Sequence, residues 1–105
     1  MKFTEIQIDG AVALVTGGAR GIGLSIAQRL AREGARVVIA DLDGDAAVLA
    51  AREIGSDARG FALDVGESDD YRRVVAEVED TVGPIDIVVN NAGIMPVGPL
   101  LEESR

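Results

Sequence analysis

The chain of 105 residues contains no cysteine and no histidine. These absences exclude disulfides, thiol nucleophiles, histidine acid–base catalysis and the usual zinc ligand sets. A metal site would depend on carboxylates alone, and we predict none. Aromatic residues make up only 3% of the chain and hydrophobic residues 48%, so we expect an interior of Ala, Val, Ile and Leu. Such an interior is typical of parallel sheets that are buried on both faces.

Positive charge is also scarce, because 10 Lys and Arg residues stand against 18 Asp and Glu residues, for a formal net charge of −8. Nucleic acids and anionic membranes would repel this chain, so neither is an expected partner. No window of the sequence approaches the ~18 apolar residues of a membrane span, and the first residues do not form a signal peptide. We therefore expect a cytoplasmic protein of at most one domain.

Four short aliphatic runs alternate with three amphipathic stretches. The runs lie at 11–15, 36–41, 59–65 and 85–90, and the amphipathic stretches at 21–33, 44–54 and 68–82. The runs predict strands and the stretches predict helices, joined by right-handed crossovers between parallel strands. The sequence thus predicts an α/β fold with a doubly wound parallel sheet, in which about four strands follow the order 3-2-1-4. The first two helices should cover one face of the sheet and the third helix the other face, which leaves 85–90 as an edge.

Each predicted helix has an apolar stripe and local start and stop signals. The inward-facing positions are Ile22, Ile26, Ala27, Leu30 and Ala31 in the first helix, Val48, Ala51 and Ile54 in the second, and Val74, Val75, Val78 and Val82 in the third. The predicted N-caps are Asp43 or Asp45 for the second helix and Ser68 for the third. The predicted stop signals are Gly34, Gly55 and Gly83-Pro84.

The stretch TGGARGIG, residues 16–23, connects the first strand to the first helix. Gly17 and Gly18 permit a tight turn with positive φ, and Gly21 lets phosphate oxygens approach backbone N–H groups at the positive end of the helix. Gly23 permits close packing of helix on strand. Two alternatives remain: a tight turn without a ligand, and a P-loop, whose spacing fits but whose phosphate-binding lysine is replaced by Leu24.

Asp41 ends the second strand, 18 residues beyond Gly23. An acid near this spacing in a dinucleotide fold accepts hydrogen bonds from the adenosine ribose hydroxyls. A 2′-phosphate would meet a like charge there, with a repulsion of roughly 1–4 kcal/mol at ~4 Å, so we expect NAD rather than NADP. The alternative role of Asp41 is that of a cap for the next helix. Arg20 opposes the NAD preference, because a guanidinium in the loop could reach a 2′-phosphate.

Three motifs together resemble the short-chain dehydrogenase/reductase family in its classical branch. They are TGGARGIG at 16–23, LDV at 63–65 and NNAG at 90–93. The resemblance implies a Rossmann fold and a nicotinamide-dependent oxidoreductase that acts on an alcohol or ketone. By the same resemblance, Gly17, Arg20, Gly21, Ile22 and Gly23 would line the pyrophosphate and nearby ribose, Asp41 and Leu42 the adenosine ribose, Asp64 and Val65 the adenine, and Asn91, Ala92 and Gly93 the nicotinamide-side ribose. Asn90 would tie neighbouring strands together, and Asp64 has capping of its own loop as an alternative role.

The catalytic part of the family pattern, a tyrosine with a lysine four positions later, is missing from these residues. Tyr71 is the sole tyrosine and is followed by Val75, while the sole lysine is Lys2. We therefore predict no catalytic residue. We interpret 1–105 as a single partial dinucleotide-binding domain, the N-terminal fragment of an enzyme that would be a homo-oligomer. The alternative is a naturally short NAD-binding or regulatory module without enzymatic activity.

Overall fold

The structure, a computed structural model, describes residues 7–55 and 57–91. The strands are β1 (Val12–Thr16), β2 (Arg36–Asp41), β3 (Arg59–Ala62) and β4 (Ile87–Asn90), and the helices are α1 (Gly21–Arg32), α2 (Gly44–Ile54) and α3 (Ser68–Thr81). All strand pairs are parallel and the order is β3-β2-β1-β4. The predicted partial doubly wound sheet is confirmed. β3 ends three residues earlier than predicted, and β4 begins two residues later.

The two central strands, β1 and β2, are buried on both faces. Because side chains alternate along a strand, odd-numbered and even-numbered positions enter different layers. One layer packs α1 and α2 on the sheet and contains Ala13, Val15, Val37 and Ile39 with Ala27, Ala47 and Ala50. The other layer packs α3 on the sheet and contains Val12, Leu14, Val38 and Ala40 with Val74 and Val78. The predicted division of the helices between the two faces is thereby confirmed.

The inward stripes of α1 and α2 were predicted wrongly at one position each. Ile22 is 74% exposed and Val48 is 41% exposed. In α2 the small side chains Ala47 and Ala50 face the sheet instead. The reason is the close approach of helix and strand, because a Cβ added at Gly60 of β3 would collide with the backbone of Ala47. The narrow gap admits methyl groups and excludes larger side chains.

The helix ends follow the sequence signals with one correction. Asp43 is the N-cap of α2, and its carboxylate accepts a hydrogen bond from the Ala46 N–H at 3.1 Å. Ser68 is the first residue of α3 and its predicted capping role is wrong, since Glu67 holds the N-cap position and makes no side-chain cap bond. The acids Asp69 and Asp70 in the first turn compensate the helix dipole instead. None of the helices in the described ranges is long and apolar enough to cross a membrane.

β4 forms one edge of the sheet within the described ranges, where it pairs with β1 alone. Its residues alternate between half-buried and exposed positions, and Val88, at one of the exposed positions, is 47% exposed. The parallel register places Asn90 beside Thr16, the last residue of β1. The carboxyl ends of β1, β2 and β4 therefore meet at one edge of the sheet, which is where ligands bind in open α/β folds.

Candidate functional site

The loop between β1 and α1, residues 17–20 and here called the glycine loop, is held tightly against its surroundings. The Gly17 N–H donates a hydrogen bond to the Ala40 carbonyl at the end of β2, at 2.7 Å. Gly17 and Gly21 have positive φ angles of 65° and 62°, whereas the positive φ predicted for Gly18 is wrong. A Cβ at Gly23 would collide with the Gly17 carbonyl oxygen. The first turn of α1 thus lies directly on the glycine loop, as the predicted close packing at Gly23 requires.

The end of β4 clamps the same loop. The Asn91 side-chain Nδ2 donates to the Gly17 carbonyl at 3.1 Å, and the Asn91 N–H donates to the Thr16 hydroxyl at 3.1 Å. The Thr16 hydroxyl lies 3.3 Å from the Val89 carbonyl oxygen and 3.4 Å from the Asn90 Oδ1, and can donate to either. Thr16 therefore ties β1 to the end of β4, and Asn90 is one of the two acceptors, in line with the role expected from the sequence. The clamp by Asn91 was not predicted, because no local pattern indicates which distant carbonyl an asparagine side chain will reach.

The N-terminus of α1 differs from those of the other described helices. The N–H groups of Gly21, Ile22 and Gly23 have no partner within the helix, as in the first turn of any α-helix. No side chain caps this end, no acid lies in the first turn, and the N-cap residue is Arg20. In contrast, α2 has Asp43 and α3 has two first-turn acids. The free amides and the positive end of the helix dipole favour an anion at this end of α1.

Asp41 links the glycine loop to the loop that follows β2. One carboxylate oxygen accepts a hydrogen bond from the Ala19 N–H at 3.1 Å, and the other accepts from the Asp43 N–H at 3.0 Å. Asp41 is half-buried, whereas the next residue, Leu42, is 74% exposed. A carboxylate has about four acceptor sites, so Asp41 keeps capacity for hydroxyl donors from a ligand. The contact with Ala19 was not predicted.

Arg20 and Asp43 form an ion pair across the two loops, with 3.2 Å between the Arg20 Nη2 and an oxygen of Asp43. The hydrogen bond from the Ala46 N–H, and after it the Arg20 guanidinium, lower the pKa of Asp43 below its ordinary value of 3.8. The sequence indicated Asp43 as a possible helix cap and Arg20 as a possible phosphate ligand. It gave no indication that the two side chains meet.

Asp64 and Val65 follow β3 and are both exposed. The Leu63 N–H donates to the Asp41 carbonyl at 2.9 Å, which brings this segment to the same edge of the sheet. The Asp64 carboxylate accepts a hydrogen bond from the Gly66 N–H at 2.9 Å, so it caps its own loop. Its second oxygen retains acceptor capacity. The Asp64 N–H donates to the Asp70 carboxylate at 2.8 Å, so α3 fixes the position of the Asp64 backbone.

Asp70 makes the free energy of unfolding depend on pH under acidic conditions. The Asp64 N–H and then Arg73 lower the pKa of Asp70 below 3.8. A carboxyl with a depressed folded-state pKa contributes stability that is complete above the unfolded pKa and is lost as the pH falls through the folded-state value. In the variant Asp70→Asn, we expect the free energy of unfolding to decrease less as the pH falls below about pH 4. Chemical denaturation from pH 6 to pH 2 measures this decrease. The control is Asp69→Asn, at the 94% exposed neighbour. An equally reduced decrease in both variants would contradict this assignment.

The described structure connects several of the residues indicated by the sequence. Gly17, Gly23 and Asn91 are in mutual contact, Asp41 holds the glycine loop through Ala19, and Arg20 pairs with Asp43. Ile22, Leu42 and Val65 are exposed at this edge without joining that network. Ala92 and Gly93 lie outside the described residues. Within the described ranges, no group of three or more Asp or Glu residues could hold a metal ion.

A doubly wound parallel sheet with a glycine loop packed under an uncapped helix N-terminus is the architecture of a Rossmann-type domain. A sequence model of the short chain dehydrogenase family matches residues 11–105, and the chain belongs to this family. The family implies a nicotinamide cofactor. The glycine packing and the acid-free end of α1 fit its pyrophosphate. The P-loop alternative is left without support.

Relatives in this family include three named dehydrogenases. The chain is 48% identical over 100 residues to a sorbitol dehydrogenase of Cereibacter sphaeroides, covering 95% of this chain and 39% of that protein. It is 45% identical over 95 residues to a galactitol 2-dehydrogenase of Agrobacterium fabrum, covering 90% of this chain and 37% of the relative. It is 41% identical over 103 residues to a D-threitol dehydrogenase of Mycolicibacterium smegmatis, covering 95% of this chain and 40% of the relative. The chain thus spans about two fifths of the length of these relatives.

Proposed function

We propose that this chain is the cofactor-binding part of an NAD-dependent oxidoreductase that transfers hydride between the cofactor and an alcohol or ketone. The observation that carries the proposal is the bare N-terminus of α1, packed on the glycine loop with no carboxylate in its first turn. Family membership supports the nicotinamide cofactor. The placement of Asp41 at the end of β2 supports NAD over NADP.

Each part of the described site has a role in this proposal. The amides of Gly21, Ile22 and Gly23 would bind the pyrophosphate, because they lack helical partners and stand at the positive end of the dipole. Asp41 would accept hydrogen bonds from the adenosine ribose. Asp64 and Val65 would contact the adenine. The bound nicotinamide ring supplies the hydride acceptor or donor.

We propose that these residues bind the cofactor without supplying the acid–base group of the reaction. The chain has one tyrosine, Tyr71, which lies half-buried on α3 and packs against the layer of Val74 and Val78. Val75 occupies the position where the family pattern has its lysine. The second candidate function is a short module that binds NAD without reacting it.

For the substrate we propose a polyhydroxylated alcohol or the corresponding ketone. Sorbitol, galactitol and D-threitol, which appear in the names of three relatives, are all polyols. The homo-oligomeric state and the cytoplasmic location stay predictions that no contact among the described residues tests.

The proposal is tested by calorimetric titration of the full chain with NAD and NADP, together with NADH oxidation assays on a panel of ketoses. We expect binding of NAD and no turnover by the 105 residues. A folded chain that binds neither nucleotide would refute the cofactor assignment. Robust turnover would refute the assignment of catalysis to residues outside this chain. To separate a longer enzyme from the short module, the coding DNA downstream of Arg105 is read for Tyr-x3-Lys.

The variant Asp41→Ala tests the choice of cofactor. We expect it to weaken NAD binding about 10-fold, since a charged acceptor for the ribose hydroxyls is lost. Removal of the like charge should narrow the preference for NAD over NADP by about 5- to 10-fold. The matched control is Asp45→Ala, which removes the same charge from an exposed residue in the first turn of α2. Tighter binding of NADP than of NAD by the unmodified chain would show that Arg20 sets the preference.

A further inference from the structure

Arg20 and Asp43 connect two loops that are separate in sequence. Arg20 belongs to the glycine loop and Asp43 precedes α2, and their side chains meet at 3.2 Å. Among the ion pairs of the described residues, the other four join residues three or four positions apart on one helix. The pair of Arg20 and Asp43 is therefore the described ion pair whose formation depends on the tertiary fold.

Backbone hydrogen bonds position the Asp43 carboxylate toward Arg20. One oxygen of Asp43 accepts the Ala46 N–H in the N-cap of α2, which leaves the other oxygen to face Arg20. The Asp43 N–H donates to Asp41, so the two carboxylates are held in one short turn. Arg20 is the N-cap residue of α1, with an extended backbone. The Asp43 carboxylate is thus held by backbone bonds in a position that faces Arg20.

The pair lies beside Asp41, where the adenosine ribose would sit under the proposed function, on which this inference rests. A 2′-phosphate on that ribose would need a cation, and Arg20 is the guanidinium that the described structure places against this turn. Asp43 forms an ion pair with that guanidinium and adds a second negative charge next to Asp41. An approaching 2′-phosphate would therefore meet two carboxylates and a neutralised arginine.

We propose that Asp43 is a second determinant of cofactor specificity, which holds Arg20 away from a ribose 2′-phosphate and so disfavours phosphorylated cofactor. The role is distinct from that of Asp41. Asp41 has no ion pair in the described structure and would contact the ribose itself, whereas Asp43 acts through Arg20. Because both side chains of the pair are exposed, at 67% and 49%, it contributes little to folding stability, and its removal should leave the fold intact.

The experiment compares the binding of two fragments of the cofactor, AMP and adenosine 2′,5′-bisphosphate, to the full chain and to Asp43→Asn at low ionic strength. Asparagine keeps the N-cap of α2 and removes the charge. We expect the variant to bind adenosine 2′,5′-bisphosphate about 5- to 20-fold more tightly, as a repulsive charge is removed and Arg20 is released. Binding of AMP should stay within about twofold. The gain should shrink as salt is added.

Two controls isolate the ion pair. Asp45→Asn removes one charge from the same turn of α2 without touching Arg20, and we expect it to change the ratio of the two affinities by less than about twofold. Adding Arg20→Ala to Asp43→Asn should abolish most of the gain, because the released cation is then missing. Circular dichroism checks that each variant is folded, and Asp43→Ser, which also caps a helix, replaces Asp43→Asn if that variant does not fold.

The outcomes separate this inference from the proposed function. If AMP and NAD bind to the unmodified chain but Asp43→Asn leaves the affinity ratio unchanged, the role of Asp43 is refuted and the cofactor site stands. An equal gain in Asp45→Asn, or a full gain that survives Arg20→Ala, likewise refutes it. If the unmodified folded chain binds neither AMP nor NAD, the proposed function and this inference are refuted together.

Discussion

Gly23→Ala is expected to abolish cofactor binding and to lower the free energy of unfolding by about 3 kcal/mol. The added Cβ would collide with the Gly17 carbonyl and lie 2.8 Å from the Asn91 Nδ2. The carbonyl is a backbone atom that no change of rotamer can move. The first turn of α1 would have to shift away from the glycine loop, and the amides of that turn would lose their positions. Chemical denaturation and titration with NAD measure the two effects.

The control for this variant is Gly21→Ala in the same turn. Gly21 has a φ of 62°, so alanine is strained there, but no atom lies within 4 Å of the added Cβ. The expected cost is about 1 kcal/mol, from the left-handed backbone alone. Comparable effects of the two variants would show that backbone strain, rather than close packing at Gly23, determines the shape of the loop.

Leu14→Ala is expected to lower the free energy of unfolding by about 3–4 kcal/mol. Leu14 is fully buried in the central strand β1, in the layer between the sheet and α3. Truncation removes apolar contacts and leaves a cavity between two rigid elements that cannot easily close. The matched control is Leu49→Ala on α2, where the leucine is 56% exposed and the expected change is below about 0.5 kcal/mol. Similar losses from both variants would contradict the described core.

The element order and sheet topology were predicted because the sequence changes clearly between two periods. Runs such as 36–41 are aliphatic throughout, while Val74 and Val78 recur at helical spacing, and both patterns reflect burial directly. The error at Val48 has a different origin. The orientation of Val48 depends on how closely α2 approaches the sheet, and this is set by Gly60 of β3, on which the Ala47 backbone packs. Hydrophobic spacing along one helix does not contain that information.

The residues of the candidate site were indicated by motifs, but their connections were not. The bonds from Ala19 to Asp41 and from Asn91 to Gly17 join residues 22 and 74 positions apart. Such contacts depend on the order and register of the strands, which place Ala40 and Asn90 on either side of Thr16 and put Asp41 one residue further along β2. A motif shows which residue types a site uses. It does not show which side chain will neutralise Arg20.

The bond from Asn91 to Gly17 has a consequence for the timing of assembly during synthesis. A nascent chain that has emerged only as far as α3 contains the glycine loop but lacks the amide that clamps it. The proposed nucleotide-binding surface is therefore completed only when β4 docks on β1. A nucleotide that favours the clamped loop would in turn favour docking of β4, by mass action. In a series of ribosome-stalled chains of increasing length, the affinity for NAD should rise sharply once residue 91 has left the exit tunnel.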